Sequence, residues 1–128
     1  MPPHRTALLV DGDPSIIHSV RQLLPSPEVR VDNAGDAHAA IDCLKRGSYC
    51  GMILDLALPG GDGMDVLRHI SEQDVDIPIV VVASKFPDSI RELPIAPAIK
   101  LVLARPVDPS VLASIIVSLC GIDSRSVR

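Results

Sequence analysis

Five short apolar runs, separated by stretches with helical periodicity, constrain the fold more than any other feature of this sequence. A continuous apolar run of about four to eight residues is typical of a strand that is buried on both faces of a parallel sheet. The predicted strands cover residues 6–10, 28–34, 51–55, 77–84 and 101–104. Strands that alternate with helices form βαβ units, whose right-handed crossovers place helices against the sheet. We therefore predict an α/β domain built on a five-stranded parallel sheet with helices on both faces.

Paired Asp and Pro residues mark the starts of two predicted helices. Asp13-Pro14 and Asp108-Pro109 each combine a capping side chain with a proline at the first helical position. The long helices are predicted over residues 14–24, 36–46, 64–73 and 109–120. Between the fourth and fifth strands, three prolines leave room only for a short helix over residues 88–93.

Composition limits the classes of function that are open to the chain. With 128 residues and a net charge of −4, it is one domain long and lacks the basic balance typical of proteins that bind nucleic acid or anionic membranes. The start, MPPHRT, lacks the apolar core of a signal peptide, and no apolar stretch reaches the ~18 residues of a membrane span. We therefore expect a cytoplasmic protein, whose three cysteines, without CxxC or zinc-site spacing, are reduced thiols.

Three charged side chains follow predicted strands at one edge of the sheet. Asp11 follows the first strand, Asp55 ends the third, and Arg105 follows the fifth. Ligands of open parallel sheets bind outside the carboxyl ends of the strands. A single Asp after a strand is commonly part of a turn. Two acids and one guanidinium from three strands favour a functional site instead.

Four segments resemble, in order and spacing, the receiver domain of two-component response regulators: LLVDGDPS, MILDLALPGGDG, IPIVVVAS and LARPV. The resemblance covers residues 6–119, and Pro59 and Gly63 match the turn after Asp55. It implies a flavodoxin-like three-layer α/β sandwich with strand order 2-1-3-4-5. It also implies a receiver domain over residues 1–120 and a flexible tail or linker over residues 121–128.

The same resemblance implies a signalling module rather than an enzyme. Asp55 matches the phosphoacceptor, which takes a phosphoryl group from a sensor histidine kinase or a phosphotransfer protein. Mg²⁺ is expected to bind Asp11, Asp55 and the carbonyl of Ala57, and Arg105 takes the place of the family's lysine. The implied response is altered binding of a downstream effector protein or domain, or of a second copy as a homodimer, without nucleic-acid contact by this domain. The Arg105-Pro106 bond is expected to be cis.

The sequence departs from the family at positions that carry function. Gly12 stands where the family has a second acid, which weakens the expected Mg²⁺ site, and Asp13 is either a substitute ligand or the cap of the first helix. Ala83 stands where the family has the hydroxyl residue of its switch, Ser84 comes one residue late, and Val102 stands where the switch has an aromatic residue. A one-residue shift on a strand turns the side chain to the other face.

These departures leave two versions of the signalling function. Either Asp55 is phosphorylated, or the domain is a degenerate receiver that binds partners without phosphate. In both versions, we hypothesise that the guanidinium fork of Arg105 bridges Asp11 and Asp55 and neutralises the acids in place of a metal.

An enzyme is the remaining alternative, because LLVDGDPS also resembles the first motif of haloacid-dehalogenase-like phosphatases. There Asp11 would be the nucleophile, Asp13 the general acid and Ser84 the second motif. That chemistry needs a later acidic pair for Mg²⁺, whereas only the isolated Asp108 and Asp123 follow.

Overall fold

The computed structural model describes residues 5–25, 27–58, 63–85 and 87–121. Its strands are β1 (Arg5–Val10), β2 (Val29–Ala34), β3 (Met52–Asp55), β4 (Ile79–Val82) and β5 (Ile99–Leu103). Its α-helices are α1 (Pro14–Leu23), α2 (Ala37–Arg46), α3 (Gly63–Glu72) and α4 (Pro109–Leu119). The ends of these elements differ from the predicted ones by only one or two residues. Pro59 and the predicted tail beyond residue 121 lie outside the described residues.

All five strands are parallel and lie in the order β2-β1-β3-β4-β5, which confirms the flavodoxin-like architecture. β1 and β3 are neighbours, and Val10 pairs with Leu54 near their carboxyl ends. Asp11, which follows β1, and Asp55, the last residue of β3, therefore lie side by side at the carboxyl ends of these strands. β4 separates β3 from β5, so Arg105 reaches this edge from two strands away.

Helices cover both faces of the sheet and create two layers of apolar core. α2 and α3 pack on one face, and α1 and α4 pack on the other. Because successive strand residues point to opposite faces, Leu8 and Val10 of β1 contribute to the first layer and Ala7 and Leu9 to the second. Close packing on both sides fixes the strand ends that carry the charged residues.

Aspartate side chains cap three of the helices. The carboxylates of Asp13, Asp36 and Asp108 accept hydrogen bonds from backbone N–H groups in the first turns of α1, α2 and α4, at 2.9, 2.7 and 2.9 Å. Each cap satisfies a donor that the helix itself leaves without a partner. Gly121, with φ +71°, follows α4 in the left-handed conformation that favours glycine. Among the described helices, none is long and apolar enough to cross a membrane.

The segment between β4 and β5 forms two 3-10 helices, Asp88–Glu92 and Ala96–Ala98, where the sequence predicted one short helix. Ile90 anchors the first of them and is completely buried in the core layer beneath α2 and α3. The neighbouring edge strand β5 remains open to solvent, with Leu101 44% and Val102 43% exposed.

The expectation of three reduced cysteines is wrong for two of them. Cys50 and Cys120 form a disulfide across 70 residues of sequence, and their Cα atoms lie 5.0 Å apart, within the range that a disulfide requires. Packing of α4 against the sheet brings its C-terminal end to Cys50, two residues before β3, and no local spacing pattern signals that contact. Cys43 is the free cysteine of the described residues.

Candidate functional site

A cavity of about 180 Å³ opens at the carboxyl edge of the sheet. Asp11, Asp13, Asp55 and Arg105 provide its charged lining. Its apolar walls come from both core faces and the segment after β5: Leu9, Val10, Ile16, Ile53, Val82, Pro106, Val107 and Leu112. The three charged groups predicted from the strand ends therefore share one cavity, together with Asp13.

Asp55 is the buried acid of the site. It is the last residue of β3, and its side chain is only 5% exposed. Its Oδ1 atom accepts a hydrogen bond of 2.9 Å from the backbone N–H of Ala57 and forms an ion pair with the guanidinium of Arg105. The Arg105 side chain is 36% exposed, so the pair joins a buried carboxylate to a cation at the surface. A buried carboxylate of this kind requires such a partner.

Asp11 is half-buried, and both its side chain and its backbone carbonyl accept hydrogen bonds. Its Oδ1 atom accepts the backbone N–H of Asp13 at 2.9 Å. The side-chain amide of Asn33, at the end of β2, donates to the carbonyl oxygens of Leu9 and Asp11 at 3.1 and 3.4 Å. Sequence reasoning missed Asn33, although the adjacency of β2 and β1 places its position beside Asp11.

Asp13 serves as the cap of α1 rather than as a second inward-facing acid. Its Oδ1 atom accepts hydrogen bonds from the hydroxyl and the backbone N–H of Ser15, at 2.8 and 2.9 Å. Both hydrogen bonds hold the pKa of Asp13 below its ordinary value, and the bond from the Ser15 hydroxyl has the larger effect. Of the two roles left open by the sequence, the structure therefore shows the capping role.

The positions expected to form a switch are spread over different environments. Ala83 is buried, and its N–H donates to the carbonyl of Leu103 at 2.9 Å. Ser84 and Val102 are exposed. Ala57 takes part in the site through its N–H group, as the donor to Asp55. The Arg105-Pro106 bond is cis, as the resemblance implied.

The carboxylates at this cavity fit a divalent metal poorly, because Gly12 carries no side chain, Asp13 caps α1 and Asp55 is paired with Arg105. Within residues 5–25, 27–58, 63–85 and 87–121, no three His, Cys, Asp or Glu side chains lie together as a metal-binding group. The Oδ1 atom of Asp55 is bound to Arg105, and the carboxylate of Asp13 is bound to Ser15. Of the expected bridge between Asp11 and Asp55, Arg105 makes the contact with Asp55, and the ion pairs of the described residues include none between Arg105 and Asp11.

A sequence model of the response regulator receiver domain matches residues 7–117. The chain belongs to the response regulator receiver domains. This membership does not favour the haloacid-dehalogenase-like alternative, in which Asp11 would be the nucleophile.

Curated relatives of this receiver domain are longer regulatory proteins. It is 34% identical over 76 residues to the C4-dicarboxylate transport transcriptional regulatory protein DctD of Pseudomonas aeruginosa, an alignment that covers 59% of this chain and 16% of that protein. It is 31% identical over 85 residues to the response regulator MprA of Mycolicibacterium vanbaalenii, covering 66% of this chain and 36% of MprA. The alignments thus span well under half the length of either relative.

Solved receiver domains share the fold. The signal receiver domain of a putative Luxo repressor protein from Vibrio parahaemolyticus superposes with a TM-score of 0.75 at 20% identity, covering 92% of this chain and 91% of that one. The receiver domain of a sensor histidine kinase from Pseudomonas aeruginosa, which has a magnesium ion coordinated in its active site cleft, superposes with a TM-score of 0.69 at 25% identity, covering 92% and 98%.

Proposed function

We propose that Asp55 is the phosphoacceptor of a cytoplasmic two-component signalling protein. A sensor histidine kinase or a phosphotransfer protein is the donor, and the response is altered binding of an effector protein or domain. The observation that carries this proposal is the position of Asp55: a buried carboxylate at a strand end, in a cavity open to solvent, paired with a cation. Membership of the receiver family supports it.

The proposed reaction is a displacement at phosphorus. A carboxylate oxygen of Asp55 attacks the phosphoryl group, an O–P bond forms, and the P–N bond to the donor histidine breaks. The imidazole nitrogen keeps the bonding electron pair and takes up a proton. Because the Ala57 N–H and the guanidinium of Arg105 both hold Oδ1, Oδ2 is the attacking atom.

Arg105 supplies the positive charge that this reaction needs. Catalysis of phosphoryl transfer depends mainly on positioning and on stabilising charge on the transferred oxygens. A guanidinium presents several N–H donors in a fixed fork and keeps its charge at all relevant pH values. After transfer, Arg105 pairs with the phosphoryl oxygens instead of the bare carboxylate, and the chain after β5 moves with it.

This movement is the proposed output of the domain. Ala83 offers no hydroxyl and Val102 no ring at the positions where the family resemblance led us to expect them. The change at Asp55 is therefore passed to the surface through Arg105. The partner surface that responds includes the exposed side of β5, which Arg105 follows.

Phosphoramidate and acetyl phosphate test the proposal, with intact mass as the measurement. Wild type is expected to gain one phosphoryl group, and Asp55→Asn none. Asp42→Asn, on α2 and away from the cavity, is the matched control and is expected to react like wild type. A phosphoryl group gained by Asp55→Asn would contradict the assignment of Asp55 and place the modification elsewhere. No reaction of wild type with either donor would contradict the proposal and leave the phosphate-independent receiver.

A further inference from the structure

One carboxylate oxygen of Asp11 and one of Asp55 are already engaged by protein groups. Oδ1 of Asp55 holds the guanidinium of Arg105 and the N–H of Ala57, and Oδ1 of Asp11 holds the N–H of Asp13 at 2.9 Å. Mg²⁺ prefers near-octahedral oxygen coordination through one or two carboxylates and several waters, so a cation here has to displace the groups that already hold these oxygens. The counter-charge that faces Asp55 is therefore an arginine.

The two residues after Asp11 add no oxygen to the site. Gly12 has no side chain, and the carboxylate of Asp13 is committed to the first turn of α1 through Ser15. Turning Asp13 inward would remove its capping bonds, which has a cost in helix stability. A divalent cation would thus have to compete with both an ion pair and a helix cap.

Arg105 has the properties of a resident substitute for the metal. It contacts the buried carboxylate directly, while its side chain remains 36% exposed at the mouth of the cavity. A positive charge that is fixed next to the reacting oxygen stabilises the charge that develops there without reorganisation. The planar fork of N–H donors also matches the geometry of phosphoryl oxygens.

We infer that Arg105 replaces the divalent cation in this receiver domain, so that phosphorylation of Asp55 does not require Mg²⁺. The inference rests on the proposed function, because it concerns the same reaction at Asp55. A second consequence concerns metal binding and does not depend on phosphorylation. The site is expected to have little affinity for divalent cations until an acid is added to it.

The first test measures the rate of phosphorylation by phosphoramidate with Mg²⁺ and with EDTA. Equal rates in the two conditions are expected for wild type and for Asp42→Asn. Arg105→Gln is expected to react about 100-fold more slowly, a loss typical of removing one stabilising donor. Arg105→Lys, which keeps the charge, is expected to recover part of the rate. A wild-type rate that collapses in EDTA overturns the inference while the proposed function survives.

The second test measures metal binding alone, by Mn²⁺-induced broadening of amide resonances near Asp11 and Asp55. Wild type is expected to show little broadening, whereas Gly12→Asp gains affinity by at least about tenfold, the scale of effect that ligand-sphere changes have on metal sites. Equal and tight binding of Mn²⁺ by both proteins overturns the inference. If no protein is phosphorylated, the proposed function fails, and broadening confined to Gly12→Asp still supports the weak affinity of the wild-type site for divalent cations.

Discussion

Cys50 and Cys120 are joined by a disulfide that attaches the end of α4 to the segment just before β3. Two other contacts reinforce this attachment: Arg5 donates a hydrogen bond to the carbonyl of Cys120, and Leu119 packs closely against Gly51. The C-terminal end of α4 is therefore fixed near the amino ends of the strands, away from the cavity that holds Asp55.

Reduction of this disulfide is expected to lower the free energy of unfolding. Loop-closure entropy for a crosslink between residues 70 apart corresponds to about 4 kcal/mol. Urea unfolding of wild type with and without a reductant measures the effect, and the Cys50→Ala/Cys120→Ala variant is expected to lose its response to the reductant. Cys43→Ala is the control and is expected to respond as wild type does. Identical unfolding curves in both conditions would show that the crosslink does not contribute.

Gly63 is a position where a methyl group does not fit. A Cβ atom there would lie 2.7 Å from the Cα of Leu56 and 2.9 Å from the carbonyl oxygen of Asp55. Gly63→Ala is expected to destabilise the fold by about 1–3 kcal/mol, the usual cost of overpacking, and to shift the resonances around Asp55. Gly35→Ala is the matched control, because nothing lies within 4 Å of its added Cβ; its effect is expected to stay within about 0.5 kcal/mol.

The stability that Asp108 provides as the cap of α4 is expected to depend on pH. Hydrogen bonds from the backbone N–H and the hydroxyl of Ser110 hold the pKa of Asp108 below its ordinary value of 3.8. Since the folded pKa lies below the unfolded one, the stability from the ionised cap is complete above pH 3.8 and is lost as pH falls through the folded pKa. Asp108→Asn retains an acceptor but cannot titrate there, so its melting temperature is expected to fall less steeply with acid than that of wild type. Parallel profiles of the two proteins from thermal melts would contradict this role.

The first 3-10 helix depends on Ile90. Its side chain is fully buried, so Ile90→Ala is expected to cost about 2–5 kcal/mol, the range for truncating a core side chain. Val102→Ala, on the exposed side of β5, is expected to change stability by no more than about 0.5 kcal/mol. Chemical denaturation of the two variants makes the comparison. Similar losses for both would mean that this segment is not anchored by the core.

The sheet and its charged edge could be predicted because both depend on local patterns. Continuous apolar runs marked the strands, and Asp-Pro pairs marked the starts of α1 and α4. The meeting of Asp11, Asp55 and Arg105 then followed from a general property of parallel sheets.

The features that the sequence did not reveal depend on contacts between distant residues. The Cys50–Cys120 disulfide requires the position of α4, and the hydrogen bonds of Asn33 require the register of β2 against β1. The role of Asp13 was a choice between two physically sound alternatives, and only the placement of Ser15 decides it. Local spacing carries no information about contacts of these kinds.

The ion pair between Asp55 and Arg105 has a consequence for how far a signal must travel. β3 lies at the centre of the sheet and β5 at its rim, with β4 between them, so a single side chain spans the end of the intervening strand. With the proposed phosphorylation of Asp55, new charge at the centre would reach the rim through the Asp55–Arg105 ion pair. The proposed transmission requires no rearrangement of the core, because the side chain of Arg105 alone spans the distance from β3 to the chain after β5.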